Sequence, residues 1–185
     1  PLFSKIEDLL NLEPKIEVII VDNGSTDKTY ENILKSNLFM ENRIKLKKID
    51  KNIGYGYGIM SGVKISTGDF IGWCHADLQT EPRDVYDAFL NNKDKLKNQN
   101  YIIKGLRKNR NIFDEIFTLG MSLIASVVFL KKINDINAQP KLFPKSFLPY
   151  LQNHPNDFSL DLFFLVIAKN NNYKIINHDV IMKKR

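Results

Sequence analysis

Short apolar runs that stop at polar residues recur along this chain and alternate with stretches of helical period, and that alternation leaves few folds open. Ile16, Val18, Ile19, Ile20 and Val21 form a strand-like run that ends at Asp22. Asn23-Gly24-Ser25 is turn chemistry, and Thr26 or Asp27 can cap a helix running to about Ser36. "RIKLKKID" then alternates apolar with basic residues, "GYGIMSGVKIST" is helical up to Gly68, and "DFIGWCHA" is a second buried strand. Pro82 opens a helix to about Leu90. "YIIKGLR" is a strand, residues 112–130 a long apolar helix, and "PKLFPKS" an extended piece. "FSLDLFFLVIAKNNN" is a helix that leads to a last strand, "YKIINHDVIM", and a helix with Ile6, Leu9 and Leu10 on one face opens the chain. The pattern predicts an α/β fold on a mostly parallel sheet, and 185 residues without a linker or repeat predict a single domain.

Charge narrows the partners. There are 27 Lys and Arg against 21 Asp and Glu, a net +6 that suits anionic partners such as phosphorylated ligands or an acidic membrane surface. The basic residues are dispersed rather than gathered in one tract, so nucleic acid is not an expected partner. Cys74 is the single cysteine, which excludes an intrachain disulfide and predicts a reducing, cytoplasmic setting. No apolar run reaches the length of a membrane span. "LGMSLIASVVFL", residues 119–130, is too short to cross a bilayer; it either packs as a buried helix or lies in a membrane interface ahead of Lys131-Lys132.

In open α/β sheets ligands bind beyond the carboxyl ends of the strands, and two polar clusters sit there. Asp22 follows a buried strand, where its carboxylate either accepts hydrogen bonds from a ligand or starts an Asx turn. His75, Asp77 and Gln79 follow the strand "FIGW" at every second position, and in extended backbone alternate side chains share a face. Such a donor set suits Mg²⁺ or Mn²⁺ bridging a diphosphate, with the imidazole shifting preference towards manganese. Alone, His75 would be an ordinary hydrogen-bonded residue at a strand end. Gly54, Gly58 and Gly62 recur four apart on a helix face, for packing or for close approach to a ligand.

Together, "VIIVDNGSTDKT" and "NIGYGYGIMSGVKISTGDFIGWCHADLQTEP" resemble the family 2 glycosyltransferases of the GT-A fold, especially the dolichol- and polyprenyl-phosphate sugar transferase branch. The shared pattern is a strand ending in Asp-x-Gly-Ser-x-Asp, an Asn-x-Gly segment, a Gly-Asp before a strand, and an Asp-Ala-Asp-Leu-Gln-x-x-Pro metal motif. It fits from about Glu17 to Pro82. "KGLRKNR", "INDINAQPKLFPKSFL" and "DFSLDLFFLVIAKNNNYKI" match more weakly the branch's Gly-x-Arg strand, its Asp-x-x-x-Gly-x-Arg segment and its acidic helix.

The resemblance implies a GT-A-like three-layer sandwich that lacks the first nucleotide-binding strand and a basic C-terminal tail. It implies an inverting transfer of sugar from a nucleotide-diphosphate donor to a polyprenyl-phosphate or glycan acceptor. The setting would be cytoplasmic, at the inner membrane face, with peripheral membrane contact, in the making of cell-envelope polysaccharide. Asp22 would hold the base or ribose, with Asn23, Gly24, Ser25, Asn52 and Gly54 around the donor. Asp77 and Gln79, with His75, would hold Mg²⁺ or Mn²⁺. Arg107 and Lys141 would lie near the phosphates, Arg185 would begin the tail motif, and Asp161 would be the catalytic acidic residue at the acceptor, taking the proton of a sugar hydroxyl. Asp161 reads equally as a solvent-facing residue on an amphipathic helix. His75 replaces the usual first metal aspartate and Lys141 an arginine, which keeps open a nucleotide-sugar-binding module of low or no activity. A nucleotidyltransferase is disfavoured, because no glycine- and lysine-rich loop lies early in the chain.

Overall fold

The computed structural model describes residues 1–109 and 112–183, with backbone only for residues 112–115. The elements are α1 (Leu2–Leu12), β1 (Ile19–Asn23), α2 (Thr29–Leu34), α3 (Asn37–Met40), β2 (Lys45–Ile49), α4 (Tyr55–Val63) and β3 (Phe70–Trp73). They continue with α5 (Pro82–Leu96), β4 (Tyr101–Lys108), α6 (Ile112–Val128), β5 (Lys141–Pro144), a 3₁₀ helix (Lys145–Leu151), α7 (Leu160–Asn170) and β6 (Lys174–Ile181). The order follows the alternation of the sequence. The helix expected up to Ser36 is broken there: Ser36 turns extended, and its hydroxyl accepts the Phe39 amide to cap α3. Helix α5 runs past Leu90 to Leu96, held at its start by Pro82 and by a capping box between Glu81 and Asp84.

The chain divides into two compact units. The first comprises Pro1–Ile71 and His154–Leu160. Here β1 and β2 pair in parallel, from Ile19 opposite Lys45 to Asn23 opposite Ile49. Ile6 and Leu10 of α1 pack with Ile33, Leu38 and Ile44 in a buried cluster. Helix α4 lies on β1, and the glycine spacing is what lets it do so: a methyl group at Gly62 would stand 2.8 Å from Val21 Cγ2. The returning segment caps this helix. The Tyr57 amide donates to the Asn156 carbonyl at 3.1 Å, and Tyr55 stacks on Phe158 at 5.0 Å.

The second unit comprises Gly72–Asn153 and the chain from Asp161. Its strands belong to a sheet of order β3-β5-β4-β6. The β4–β6 pair is parallel over eight residues, from Tyr101 opposite Lys174 to Lys108 opposite Ile181, whereas β5 runs antiparallel to β4. Helix α5 packs against β4 and β5. Trp73, Phe143, Phe147 and Phe164 form an edge-to-face aromatic cluster with centroids 5.1 to 5.8 Å apart.

Helix α6 is unusual. Of its described side chains Ser122 and Ala125 are buried, while Phe117 is 73% exposed and Ile116, Leu119, Leu123, Ile124, Val127 and Val128 also face outwards. Core packing, one of the two readings open from the sequence, is not its state here. Among the described residues no helix is long and apolar enough to cross a membrane.

Gly105 is the tightest backbone approach in the second unit, since a Cβ there would stand 2.0 Å from the Gln139 carbonyl oxygen. Gly105→Ala is therefore expected to cost about 1–3 kcal/mol. A lowered urea midpoint would show it, and an unchanged one would mean that the 135–140 segment gives way freely.

Candidate functional site

The carboxyl end of β1 gathers six of the expected donor-binding residues in the first unit. Asp22 is 3% exposed, and its Oδ1 accepts the Ser25 amide at 3.1 Å, so it does form the turn. Its Oδ2 is also buried but meets no donor among the described residues. Asn23 Nδ2 donates to Asn52 Oδ1 at 3.3 Å and to the Gly54 carbonyl at 3.2 Å, and Asn52 Oδ1 also accepts the Gly54 amide at 2.9 Å. Asn23 Oδ1 is a second buried acceptor that meets no donor among the described residues. Gly24 makes the turn at a φ of +76°, where a Cβ would collide with the Asn52 nitrogen at 2.4 Å. At Gly58 a Cβ would lie 2.9 Å from the Asn23 side chain. Two buried oxygens with unused lone pairs at one turn are acceptors that a ligand with N–H or O–H donors would satisfy.

His75, Asp77 and Gln79 lie in the second unit, but not as the alternation argument required. Strand β3 ends at Trp73, and residues 76–80 form a turn in which Leu78 takes a φ of +59°. The rule that alternate residues share a face therefore does not apply here. Instead Asp77 Oδ1 accepts the Gln79 amide at 3.1 Å, closing an Asx turn. Asp77 is exposed, while His75 and Gln79 are half-buried. The turn is anchored downstream, where the Lys183 amide donates to the Gln79 carbonyl at 3.0 Å and Lys183 pairs with Glu81. Imidazole nitrogen, carboxylate and amide oxygen are donor types that would suit a manganese-like ion. Among the described residues no three of His, Cys, Asp and Glu converge as a preformed metal cluster. Cys74 next door is no nucleophile, because burial, with Asp84 and Asp77, pushes its thiol up to about 12.

Of the remaining expected residues, Lys141, Asp161 and Arg107 share one charged network in the second unit. Lys141 is fully buried, and its ammonium lies 2.8 Å from Asp161 Oδ1 while donating to the Ile136 and Ala138 carbonyls at 3.0 and 2.7 Å. Asp161 is 2% exposed and also accepts from Gln139 Nε2 at 3.2 Å. It is not the solvent-facing residue of an amphipathic helix. Arg107 is clamped by Asp135, which accepts from its backbone N–H and its Nε, each at 2.8 Å, and from its Nη2. Arg185 lies outside the described residues. Asp135 and Lys104 are buried members of this network that sequence reasoning missed; a carboxylate in the weakly matching "INDINAQPK" segment was the available signal for Asp135.

Comparison with known proteins sets this geometry in a family. The model for glycosyl transferase family 2 matches residues 4–121. The chain belongs to that family. Over 120 residues it is 31% identical to an undecaprenyl-phosphate 4-deoxy-4-formamido-L-arabinose transferase of Photorhabdus laumondii subsp. laumondii, a match covering 65% of this chain and 35% of that protein. A protein of the same name from Proteus mirabilis is 29% identical over 80 residues, 43% of this chain and 24% of its own length. The matched stretch thus spans about a third or less of these relatives. Among solved structures, glucosyl-3-phosphoglycerate synthase from Mycobacterium tuberculosis, in complex with UDP, superposes with a TM-score of 0.69 at 14% identity, over 98% of this chain and 67% of that one. A mannosyltransferase from Pyrobaculum calidifontis, in complex with GDP-Man and Mn²⁺, gives 0.68 at 16% identity, over 98% and 52%. The family 2 chain has the α/β fold of the GT-A glycosyltransferases, as its sequence implied.

Burial alone would raise the Asp135 carboxyl, but the hydrogen bonds and charge of Arg107 outweigh it and hold the group below its ordinary value. A carboxyl that titrates lower when folded stabilises the fold above its unfolded value and loses that contribution as pH falls through its folded one. Asp135→Asn leaves Arg107 without its counter-charge and is expected to cost about 3 kcal/mol at pH 7. The deficit should shrink below about pH 4. Urea midpoints from pH 7 to 3 test this, and a deficit independent of pH would assign the loss to packing.

Proposed function

We propose that this domain transfers a sugar, with inversion, from a nucleotide-diphosphate donor to a polyprenyl-phosphate acceptor. The observation that carries the reading is the pair of buried, donorless oxygens on Asp22 and Asn23 at the end of β1. A nucleobase imide and a ribose hydroxyl present the N–H and O–H donors that such oxygens need. Asp22 holds the nucleoside, Gly24 lets the turn pack against Lys51 and Asn52, and Asn52 fixes the Asn23 amide. The UDP held by the solved synthase and the GDP-Man held by the solved mannosyltransferase support this class of donor.

His75, Asp77 and Gln79 are the residues that would hold Mn²⁺ or Mg²⁺, and the Mn²⁺ bound alongside GDP-Man in the mannosyltransferase supports a divalent ion. When bound, such an ion neutralises charge on a departing diphosphate. The chain's own contribution is to hold the nucleoside and present the donor in one orientation. The burial of Asp161 against Lys141 favours a phosphate acceptor, which attacks without a base, over a sugar hydroxyl, which needs a carboxylate to take its proton. The curated relatives are named for undecaprenyl-phosphate, in keeping with such an acceptor. Helix α6 offers a place for it: an apolar helix with outward Phe117, Leu123 and Val127, followed by Lys131-Lys132, suits insertion into the interface of an anionic leaflet. Cell-envelope polysaccharide synthesis at the inner membrane face is the setting this combination fits.

Calorimetry with UDP-glucose and GDP-mannose in Mn²⁺ tests the donor site. At least one sugar nucleotide should bind, and Asp22→Ala should weaken it about 10- to 100-fold, the value of one or two hydrogen bonds to a charged group. Equal affinity in the variant would sink the assignment. Slow donor hydrolysis separates a transferase from the alternative suggested by His75, a module that binds nucleotide sugars without turning them over.

Pelleting with vesicles tests the membrane contact. Binding should rise with the fraction of phosphatidylglycerol and fall at least fivefold in Phe117→Glu, a change at an exposed position. Indifference to both would remove α6 from the membrane.

A further inference from the structure

The second unit contains a cavity that none of these roles uses. It has a volume of about 160 Å³, room for an ion and several waters at about 30 Å³ each. It lies between β4, β6, α7 and the loop that follows α6, and its lining includes Lys104, Lys132, Lys169, Asn134 and Asn177, with Leu165 beneath. Among the described residues no carboxylate lines it.

Lys104 is what makes this more than a basic patch. It is 1% exposed, in the middle of β4, and its ammonium donates to the Gly105 carbonyl at 3.0 Å and the Asp135 carbonyl at 3.3 Å. An ammonium has three protons to donate, and no carboxylate among the described residues lies in ion-pair contact with this one. The two carboxylates nearby are committed, Asp135 to Arg107 and Asp161 to Lys141. The cluster thus holds three cations, Lys104, Arg107 and Lys141, against two anions, and one positive charge is uncompensated. A buried charge without a partner is costly, and the cavity is where the missing anion would enter.

We propose that this cavity is an oxyanion site for a phosphate group, inorganic or on a lipid headgroup, with the Lys104 ammonium as its floor. Lys132 and Lys169 supply the mouth, and Asn134 and Asn177 the neutral donors that orient the oxygens. Lys132 and Asn134 belong to the loop that leaves α6, so a phosphate bound here would tie that loop to β4 and β6. Burial and the Lys141 charge hold the Lys104 amine down to about 8, so at neutral pH it still carries the proton that the role requires. None of its residues is assigned to the donor site, and only Lys132 also belongs to the basic end of the membrane contact proposed for α6.

Thermal melting of the full chain in inorganic phosphate, against chloride at matched ionic strength, tests the site in an Asp22→Ala background, which removes the nucleotide pocket as the source of a response. The melting temperature should rise saturably with phosphate. Lys104→Met should lose that rise and, in chloride, melt at or above the parent, because it replaces an uncompensated buried charge by hydrocarbon. Lys132→Gln with Lys169→Gln, both near the surface, should weaken the phosphate midpoint at least fivefold without altering the melt in chloride. An unshifted parent, or a full response in Lys104→Met, overturns the proposal. Vesicles of phosphatidic acid and of phosphatidylglycerol, both anionic and so both open to α6, then tell the sources apart. A headgroup site predicts preferential pelleting with phosphatidic acid, competed by free phosphate and lost in the double variant. A site for free phosphate predicts pelleting indifferent to both.

Discussion

Charges buried beneath a β-sheet have to be answered by other groups, and that requirement organises the second unit. The antiparallel register of β4 and β5 sets Lys104 directly opposite Lys141, two almost fully buried cations on neighbouring strands. The segment from Asp135 to Pro140 resolves the conflict. Its carbonyls at 135, 136 and 138 accept from the two ammonium groups, its Asp135 carboxylate takes Arg107, and its Gln139 side chain joins Asp161. This piece of chain has no regular secondary structure, yet polar contacts hold it along most of its length. Gly105 completes the arrangement by leaving no side chain where the Gln139 backbone must cross, and its amide donates to the Pro140 carbonyl at 2.8 Å. A stretch that reads as loop is among the most constrained parts of the molecule.

That constraint also explains what could be read from the sequence and what could not. The order of strands and helices was legible because each apolar run has a length and period that only one element type satisfies. The cluster at Asp22 was legible because turn-forming Asn23-Gly24 and the Asn52–Gly54 segment are local signals, each complete within a few residues. The Arg107–Asp135 and Lys141–Asp161 pairs join residues 28 and 20 positions apart, on elements whose contact no local pattern reveals. At His75 the error was one of continuation. The alternation rule holds while the backbone stays extended, and Leu78 turns into the left-handed region, where composition offers no warning because leucine rarely goes there. The helix expected to end near Leu90 runs on through the polar "NNKDK" stretch to Leu96, which is fully buried and extends α5 by nearly two turns.

The two units solve their polar requirements in opposite ways. At the end of β1 the turn leaves two buried acceptors unanswered among the described residues. Below the β4–β5 pair nearly every polar group is answered from within the chain, and the residual imbalance is one cation. Helix α6 departs from both, with its hydrocarbon turned outwards. The loop after it carries Lys131 and Lys132, so a strongly apolar surface passes within a few residues into a basic one.

The glycines around β1 bear on how such a domain can diversify. At positions 24, 54 and 58 even a single methyl group would collide with a neighbouring main chain or amide, at 2.4, 2.3 and 2.9 Å. Natural variation is therefore barred from these three positions and falls instead on the exposed residues beside them, such as Ser25 and Lys51. Descendants of this scaffold can change the chemistry beside the turn without changing the path of the chain through it.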